Sequence, residues 1–278
     1  MLPARTGGHD TVKVYILDNG YLECDQNWMV AMSVVGTRDC PRAATNWIRI
    51  PVFAVLIDHH GRKILYDTGC HPAAMQGYWP ASLQGLFPHH CEAHQSLTHQ
   101  LALAHTAPEE IRTVVLSHLH LDHAGNLHQF PDADVYVPRK DFEHGQALVR
   151  RSPDPGDHGA YIKADLEVPA RRYHLVDEDQ EVADGVSLIN LPGHTPGLLG
   201  LAVELGRDGT LIFPQDAVYT PANYGPPVRL SGIVYDSLAF LDSIEKVRSL
   251  AAKSGGRVMF SHDMEFFHTL KRAPDCYE

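Results

Sequence analysis

The stretch Ser117-His118-Leu119-His120-Leu121-Asp122-His123-Ala124-Gly125 sets three imidazoles and one carboxylate within six residues. Imidazole nitrogens and carboxylate oxygens are good ligands for zinc and related divalent ions. The apolar run Thr113-Val114-Val115-Leu116 directly before it reads as a buried strand, and Gly125 marks the end of the turn that follows. A strand that stops at a ligand-rich loop holds side chains on a rigid lip, which a metal site requires. A polar loop that happens to contain a histidine explains one such residue. It does not explain His-x-His-x-Asp-His behind a strand.

Three further candidate ligands stand at the ends of apolar runs. His194 lies in a Pro-Gly-His-Thr-Pro-Gly turn after Val186-Ser187-Leu188-Ile189, Asp216 follows Leu211-Ile212-Phe213-Pro214-Gln215, and His262 follows Val258-Met259-Phe260-Ser261. Singly, each has an ordinary explanation: a turn histidine, a helix-capping aspartate, a histidine at a strand end. Their shared placement at strand ends, matching the first motif, argues for one site. Asp67, in Asp67-Thr68-Gly69, occupies the same kind of position. By contrast, His89, His90, His94, His99 and His105 lack ligand spacing and read as surface or helix positions.

The elements that must position these residues follow from hydrophobic periodicity. Thr11 to Leu17 alternates and reads as a strand, and Pro51 to Ile57 with Lys63 to Tyr66 reads as a hairpin across Asp58-His59-His60-Gly61. Trp28 to Val35 reads as a strand or as a flap over a pocket. Cys70 to His105 is irregular and reads as a loop-and-helix insertion at a substrate entrance. Thr106 with Glu109 fits a helix start, Asp134 to Val137 a strand, and Lys140 to Arg150 a helix. Ser152 to Gly159, rich in Pro, Asp and Gly, is an exposed loop. Leu199 to Val203 and Leu211 to Phe213 join the Val186 run in a second sheet. Ser237 to Lys253 carries apolar residues at helical spacing, and Arg257 to Phe260 is a last strand. Strands in both halves, each followed by helices, predict packed sheets covered by helices.

At 278 residues and 44% hydrophobic composition, the chain fits one large α/β domain with a sizeable core. A formal charge of −11 argues against nucleic acid or an anionic membrane as a partner, since both call for a basic face. The five cysteines are scattered and never spaced Cys-x-x-Cys, which suits reduced thiols in a cytoplasm. Met1 to His9 lacks the apolar core of a signal peptide, and no run is long enough to span a membrane. Nineteen histidines are unusually many, and they point back to metal.

The order His118-x-His120-x-Asp122-His123, then His194, Asp216 and His262, resembles the metallo-β-lactamase superfamily of hydrolases. The resemblance runs from the Asp67-Thr68-Gly69 turn to the last strand and implies an αββα four-layer sandwich of two mixed β-sheets flanked by helices, as one domain over 1–278. It also implies two divalent ions, zinc foremost and iron, cobalt or manganese as alternatives. His118, His120 and His194 would hold the first ion and Asp122, His123 and His262 the second, with Asp216 bridging beside a hydroxide. Asp67 would support the ligands from behind.

Within the superfamily, the chain is similar to the N-acyl-homoserine lactonases. Tyr219, three residues after Asp216, matches their tyrosine, and the chain ends soon after Ser261-His262-Asp263 with Tyr277 in its tail. The resemblance implies that Tyr219 stabilises the oxyanion and that Asp122 shuttles a proton to the leaving oxygen. The framework also resembles a 4-pyridoxolactonase, and it shares its ligand pattern with glyoxalase II thioesterases, whose C-terminal glutathione-binding helices have no room here. A non-hydrolytic diiron metalloprotein is the reading from a different class. The expected partner is a small lactone, with a homodimer open as a further expectation. Trp28, Met29, Met32 and Trp47, with Tyr78, Trp79 and Phe87, are the candidates for an apolar channel, core packing being the alternative for any one of them.

Overall fold

A computed structural model describes residues 11–278, so the Met1–His9 stretch lies outside the described residues. Strands β1 (Lys13–Asp25), β2 (Trp47–His59), β3 (Arg62–Tyr66), β4 (His89–His90), β5 (Thr113–Val115), β6 (Asp134–Pro138) and β7 (Arg172–Val176) form one mixed sheet, ordered β4-β1-β2-β3-β5-β6-β7. Its β1, β2 and β3 are antiparallel, whereas β3, β5, β6 and β7 run parallel. Strands β8 (Gln180–Ala183), β9 (Val186–Asn190), β10 (Leu199–Leu205), β11 (Gly209–Phe213) and β12 (Arg257–Val258) form the second sheet, ordered β12-β11-β10-β9-β8. Only its β11–β12 pair is parallel.

Alternation along the strands sorts side chains between layers. On β2, Phe53, Val55 and Ile57 point between the sheets, where they meet Leu188, Leu199, Leu201 and Phe213. Ala54 and Leu56 point to the other face, under Leu97 and Leu101 of helix α1 (Leu97–Leu103) and Val149 of helix α2 (Arg139–Arg151). The outer face of the second sheet is covered by Phe240, Ile244 and Val247 of helix α3 (Ser237–Ser254). Each such Val, Leu, Ile or Phe side chain, fully buried, contributes about 1.5–3 kcal/mol. The layers are therefore helix, sheet, sheet, helix, as expected. Helix α3 begins where the Asp236 carboxylate accepts from the Leu238 and Ala239 amides, and it ends at Gly255, whose φ is 64°. Among the described residues, no helix is long and apolar enough to cross a membrane.

Strands β3, β5, β9, β11 and β12 all release their loops at C-terminal ends, and these loops carry Asp67, the His118–His123 motif, His194, Asp216 and His262. The two sheets are stitched at that end. The Leu199 amide donates to the Ser117 carbonyl at 2.8 Å, and the Tyr66 hydroxyl donates to the Leu199 carbonyl at 2.7 Å.

Several local expectations change. Ser152 to Gly159 holds a 3₁₀ turn with His158 buried, and His89 is buried on β4. Trp28 to Val35 is no strand: a short helical turn, Gln26–Met29, gives way to a loop. The Asn27 side chain accepts from the Val34 amide at 3.0 Å and donates to the Val34 carbonyl at 3.3 Å, so the backbone closes on itself instead of pairing in a sheet. The helix start at Thr106 is one 3₁₀ turn, Pro108–Glu110, in which Glu110, not Glu109, accepts from the Ala107 amide at 2.7 Å. Proline at the first helical position moves the cap to Ala107. Finally, the last strand stops at Val258, although Met259 still donates to the Ile212 carbonyl at 2.8 Å.

Candidate metal centre

The sequence-predicted ligands converge. Three groups each bring their ligand atoms within 4.8 Å of one another: His118, His120 and His194; His118, His123 and Asp216; and Asp122, His123 and His262. The His194 Nε2 lies 3.2 Å from His118 Nε2 and 3.0 Å from His120 Nδ1. Asp216 reaches both sides. Its Oδ2 is 3.3 Å from His194 Nε2 and 3.6 Å from His118 Nε2, while its Oδ1 is 3.1 Å from His262 Nε2 and 3.5 Å from His123 Nε2. The Asp122 Oδ2 stands 3.6 Å from His123 Nε2 and 3.7 Å from His262 Nε2.

The far nitrogens of these rings decide which near ones carry lone pairs. His194 Nδ1 faces the Ile233 carbonyl at 3.1 Å, and His262 Nδ1 faces the Pro51 carbonyl at 3.2 Å. A carbonyl only accepts, so both Nδ1 atoms hold the proton and both Nε2 atoms are free. Ser117 Oγ donates to Asp67 at 2.9 Å and so accepts from His118 Nδ1 at 3.0 Å, which frees His118 Nε2 as well. Lone pairs of His118 and His194 therefore point at each other across 3.2 Å, an arrangement a cation relieves. A tetrahedral zinc with Zn–N of about 2.0–2.1 Å would set two such nitrogens roughly 3.3 Å apart. The buried His123 Nε2 has no hydrogen-bond partner at all. The donor set fits metal.

Electrostatics divides the cluster. Burial, with neighbouring imidazoles adding to it, holds His118 and His120 well below the usual histidine range, and burial also lowers His194. These three are neutral. For His123 and His262, burial works in the same direction but is outweighed by Asp216 and Asp122, so both are raised, with Asp67 adding to the effect on His123. Asp216 is held well below the carboxylate range because His262 and His123 outweigh its burial.

Asp67 braces this second side. Its carboxylate accepts from the Ser117 amide at 2.7 Å, from His123 Nδ1 at 2.8 Å and from Gln215 Nε2 at 2.5 Å. Asp67 and Gln215 both sit at positive φ, 58° and 45°, which side chains rarely adopt. Gln215 had no signal in its spacing beyond preceding Asp216. The turns carrying the ligands need glycine. A Cβ on Gly125 would lie 2.2 Å from the His71 amide nitrogen, and one on Gly193, at φ 135°, 2.3 Å from the Phe240 nitrogen.

Residues 47–262 match the family model described as the Metallo-beta-lactamase superfamily. The chain belongs to that superfamily. Its relatives include the N-acyl homoserine lactonases AiiB of Rhizobium rhizogenes and of Agrobacterium fabrum, each 37% identical over 95% of this chain and 98% of the relative. Among solved structures, an AiiA variant from B. thuringiensis with N-decanoyl-L-homoserine bound at its active site superposes with a TM-score of 0.81 at 24% identity, over 96% of this chain and 99% of that one. The second likeness establishes the shared fold, with its two mixed sheets flanked by helices.

In this superfamily member, the candidate ligands His120, Asp122, His194, Asp216 and His262 line a small cavity. Its walls are Leu22, Met29, Ile50, Phe87, Leu121, Ala160 and Ile233, with Tyr219 beside the ligands. The Tyr219 hydroxyl is 2.9 Å from His194 Nδ1, and burial raises its pKa well above the usual value, so the phenol keeps its proton.

The expected apolar channel is only partly right. Met29 and Phe87 line the cavity. Trp28 packs on Phe87, ring centres 5.6 Å apart, but with Met32 and Trp47 it lines a separate outer groove. Met32 is 70% exposed, because the chain turns away from the cavity after Met29. Trp79 is core, and Tyr78 turns to Asp165. Leu22, Ile50 and Ile233 escaped the sequence reading, since single apolar residues on strands and loops look like core. Leu121 was within reach, lying inside the ligand motif itself.

Proposed function

We propose that this chain is a metal-dependent lactonase that opens N-acyl-homoserine lactones by hydrolysis. The observation that carries the reading is two clusters of candidate ligands with Asp216 between them, at an apolar cavity with a protonated phenol at its edge. The 37% identity to proteins named N-acyl homoserine lactonase AiiB supports it. His118, His120 and His194 would hold one ion, Asp122, His123 and His262 a second, and Asp216 would reach both. The mixed nitrogen and oxygen donors suit Zn²⁺ first, with Fe, Co or Mn accepted by the same set. When bound, such ions would polarise a lactone carbonyl and acidify water so that hydroxide is available near neutral pH.

The chain's own residues do the rest. Leu22, Met29, Ile50, Phe87, Leu121 and Ile233 take the acyl chain and exclude water from it. Tyr219, neutral, donates a hydrogen bond to the carbonyl oxygen as negative charge develops. Asp122, its side chain 12% exposed at the cavity, takes a proton from water and returns it to the ring oxygen. The oxygen of water bonds to the acyl carbon, the ring C–O bond breaks, and a hydroxy acid forms. At neutral pH that acid ionises, releasing one proton per ring opened.

A pH-stat assay of the metal-loaded protein tests this, using acyl-homoserine lactones of increasing chain length beside 4-pyridoxolactone, a thioester and a phosphodiester. Acid release from the acyl-homoserine lactones above the others is expected. Preference for the thioester or the phosphodiester would overturn the assignment.

A further inference from the structure

Asp141 lies in the first turn of α2, is fully buried, and makes no hydrogen bond to any candidate ligand side chain. Its Oδ2 accepts from the Leu119 amide at 2.8 Å, and its Oδ1 accepts from the Tyr161 hydroxyl at 2.5 Å. Leu119 is the residue between His118 and His120, so one bond holds the backbone from which both imidazoles project. Tyr161 leads to His120 a second way. Their backbones form an isolated antiparallel bridge, and the Tyr161 ring meets the His120 ring edge-on with centres 4.7 Å apart.

The third imidazole lies on a segment that packs against the start of α2. The Thr195 hydroxyl, next to His194, donates to the Gly197 carbonyl at 2.8 Å. Gly197 lets that turn approach the helix closely: a Cβ there would lie 3.4 Å from the Lys140 Cβ and 3.5 Å from the Asp141 nitrogen. The segments carrying His118 with His120 and Tyr161 thus register on one carboxyl, and the segment carrying His194 packs on the backbone of the same residue.

We propose that Asp141 is the positioning residue of the three-histidine cluster, setting through Leu119 and Tyr161 the geometry with which His118 and His120, beside His194, meet a metal ion. The inference rests on reading that cluster as a metal site. It is directed at one half of the centre, because His123 and His262 take their support from Asp67, Pro51 and Asp216. Asparagine reproduces only part of this. Both Asp141 oxygens accept, whereas an amide NH₂ facing Leu119 loses that bond and one facing Tyr161 forces the hydroxyl to give up its donation.

The test is Co²⁺ titration of the chelator-stripped full chain, read by its visible absorption bands. Two reference backgrounds isolate the halves: His262→Ala leaves the three-histidine cluster, and His194→Ala leaves the other. Asp141→Asn should weaken Co²⁺ binding about 10- to 100-fold in the first background, within the usual range for partners that orient metal ligands. In the second it should change binding less than about threefold. Equal weakening in both backgrounds, or none in the first, would overturn the proposal. If neither reference protein binds Co²⁺ before Asp141 is changed, the metal reading itself fails, a distinguishable result. Should Asp141→Asn not fold, Tyr161→Phe carries the same test, since it keeps the ring on His120 and removes one donor. A smaller loss confined to the first background supports the proposal, and a loss in both contradicts it.

Discussion

The two halves of the candidate metal centre are held by different means. On the His123 side, the Asp67 carboxylate bonds the ligand ring itself at 2.8 Å, and its own backbone is strained into φ 58° to do so. On the three-histidine side, Asp141 touches no ligand ring and holds the backbone at Leu119 instead. The charge differs in parallel: His118, His120 and His194 are neutral, whereas His123 and His262 stand among carboxylates that favour their protonated forms. A side-chain brace tunes one ring at a time, while a backbone brace moves two ligands together. The difference teaches that the halves should fail separately when their braces are cut.

The largest loss should come from the one ligand common to both halves. Asp216→Asn removes the charge facing His194 and His118 on one side and His262 and His123 on the other. Metal content by elemental analysis should fall for both ions, and lactone turnover by roughly a thousandfold or more. Retention of one full equivalent would show that Asp216 belongs to a single half.

Tyr219→Phe should spare both halves and strike chemistry alone. Loss of an oxyanion donor lowers kcat by about 10²–10³ in well-defined cases, with metal content unchanged. Unaltered kinetics would remove the phenol from the reaction. Next in size, Asp67→Asn should weaken the second ion by roughly 10- to 100-fold and the three-histidine cluster less, since Asp67 reaches His118 only through Ser117. Parallel loss of both ions would erase the distinction between the halves.

The smallest effect on function lies outside both. Burial pushes the Asp165 pKa up to about 7, its Oδ2 has no partner, and its Oδ1 accepts only from the Tyr78 hydroxyl. The folded chain therefore keeps a proton that the unfolded chain releases above its ordinary carboxylate pKa. That contribution to stability is complete below about pH 4 and is lost as pH rises through 7. Asp165→Asn, which cannot ionise, should melt higher than its parent at pH 8, by roughly 1–4 kcal/mol in stability, and converge with it at pH 4. Metal content should not change. Melting curves with the same pH dependence in both proteins would contradict the assignment.

Much of the centre was legible because its ligands sit at strand ends, where a hydrophobic run stops abruptly at a polar side chain. All seven candidate ligands were found that way and lie together. Their braces were only half legible. Asp67 ends a strand like the ligands, but Asp141 stands in Lys140-Asp141-Phe142-Glu143, where an acid in a first helical turn reads as a solvated cap. Only packing shows it to be buried. The cavity wall failed for a related reason. Met29 and Met32 are equally apolar and three residues apart, yet the Asn27 amide bends the chain so that one faces the cavity and the other faces solvent. Periodicity reports regular elements, and this loop has none.

The central claim, that lactone opening depends on two metal sites joined by Asp216, is tested most directly by reconstitution. Chelator-stripped protein is titrated with Zn²⁺ while acid release from an acyl-homoserine lactone is followed in the pH-stat. The account predicts that activity rises to its plateau at two equivalents per chain. A plateau at one equivalent, or full activity in the stripped protein, would contradict it.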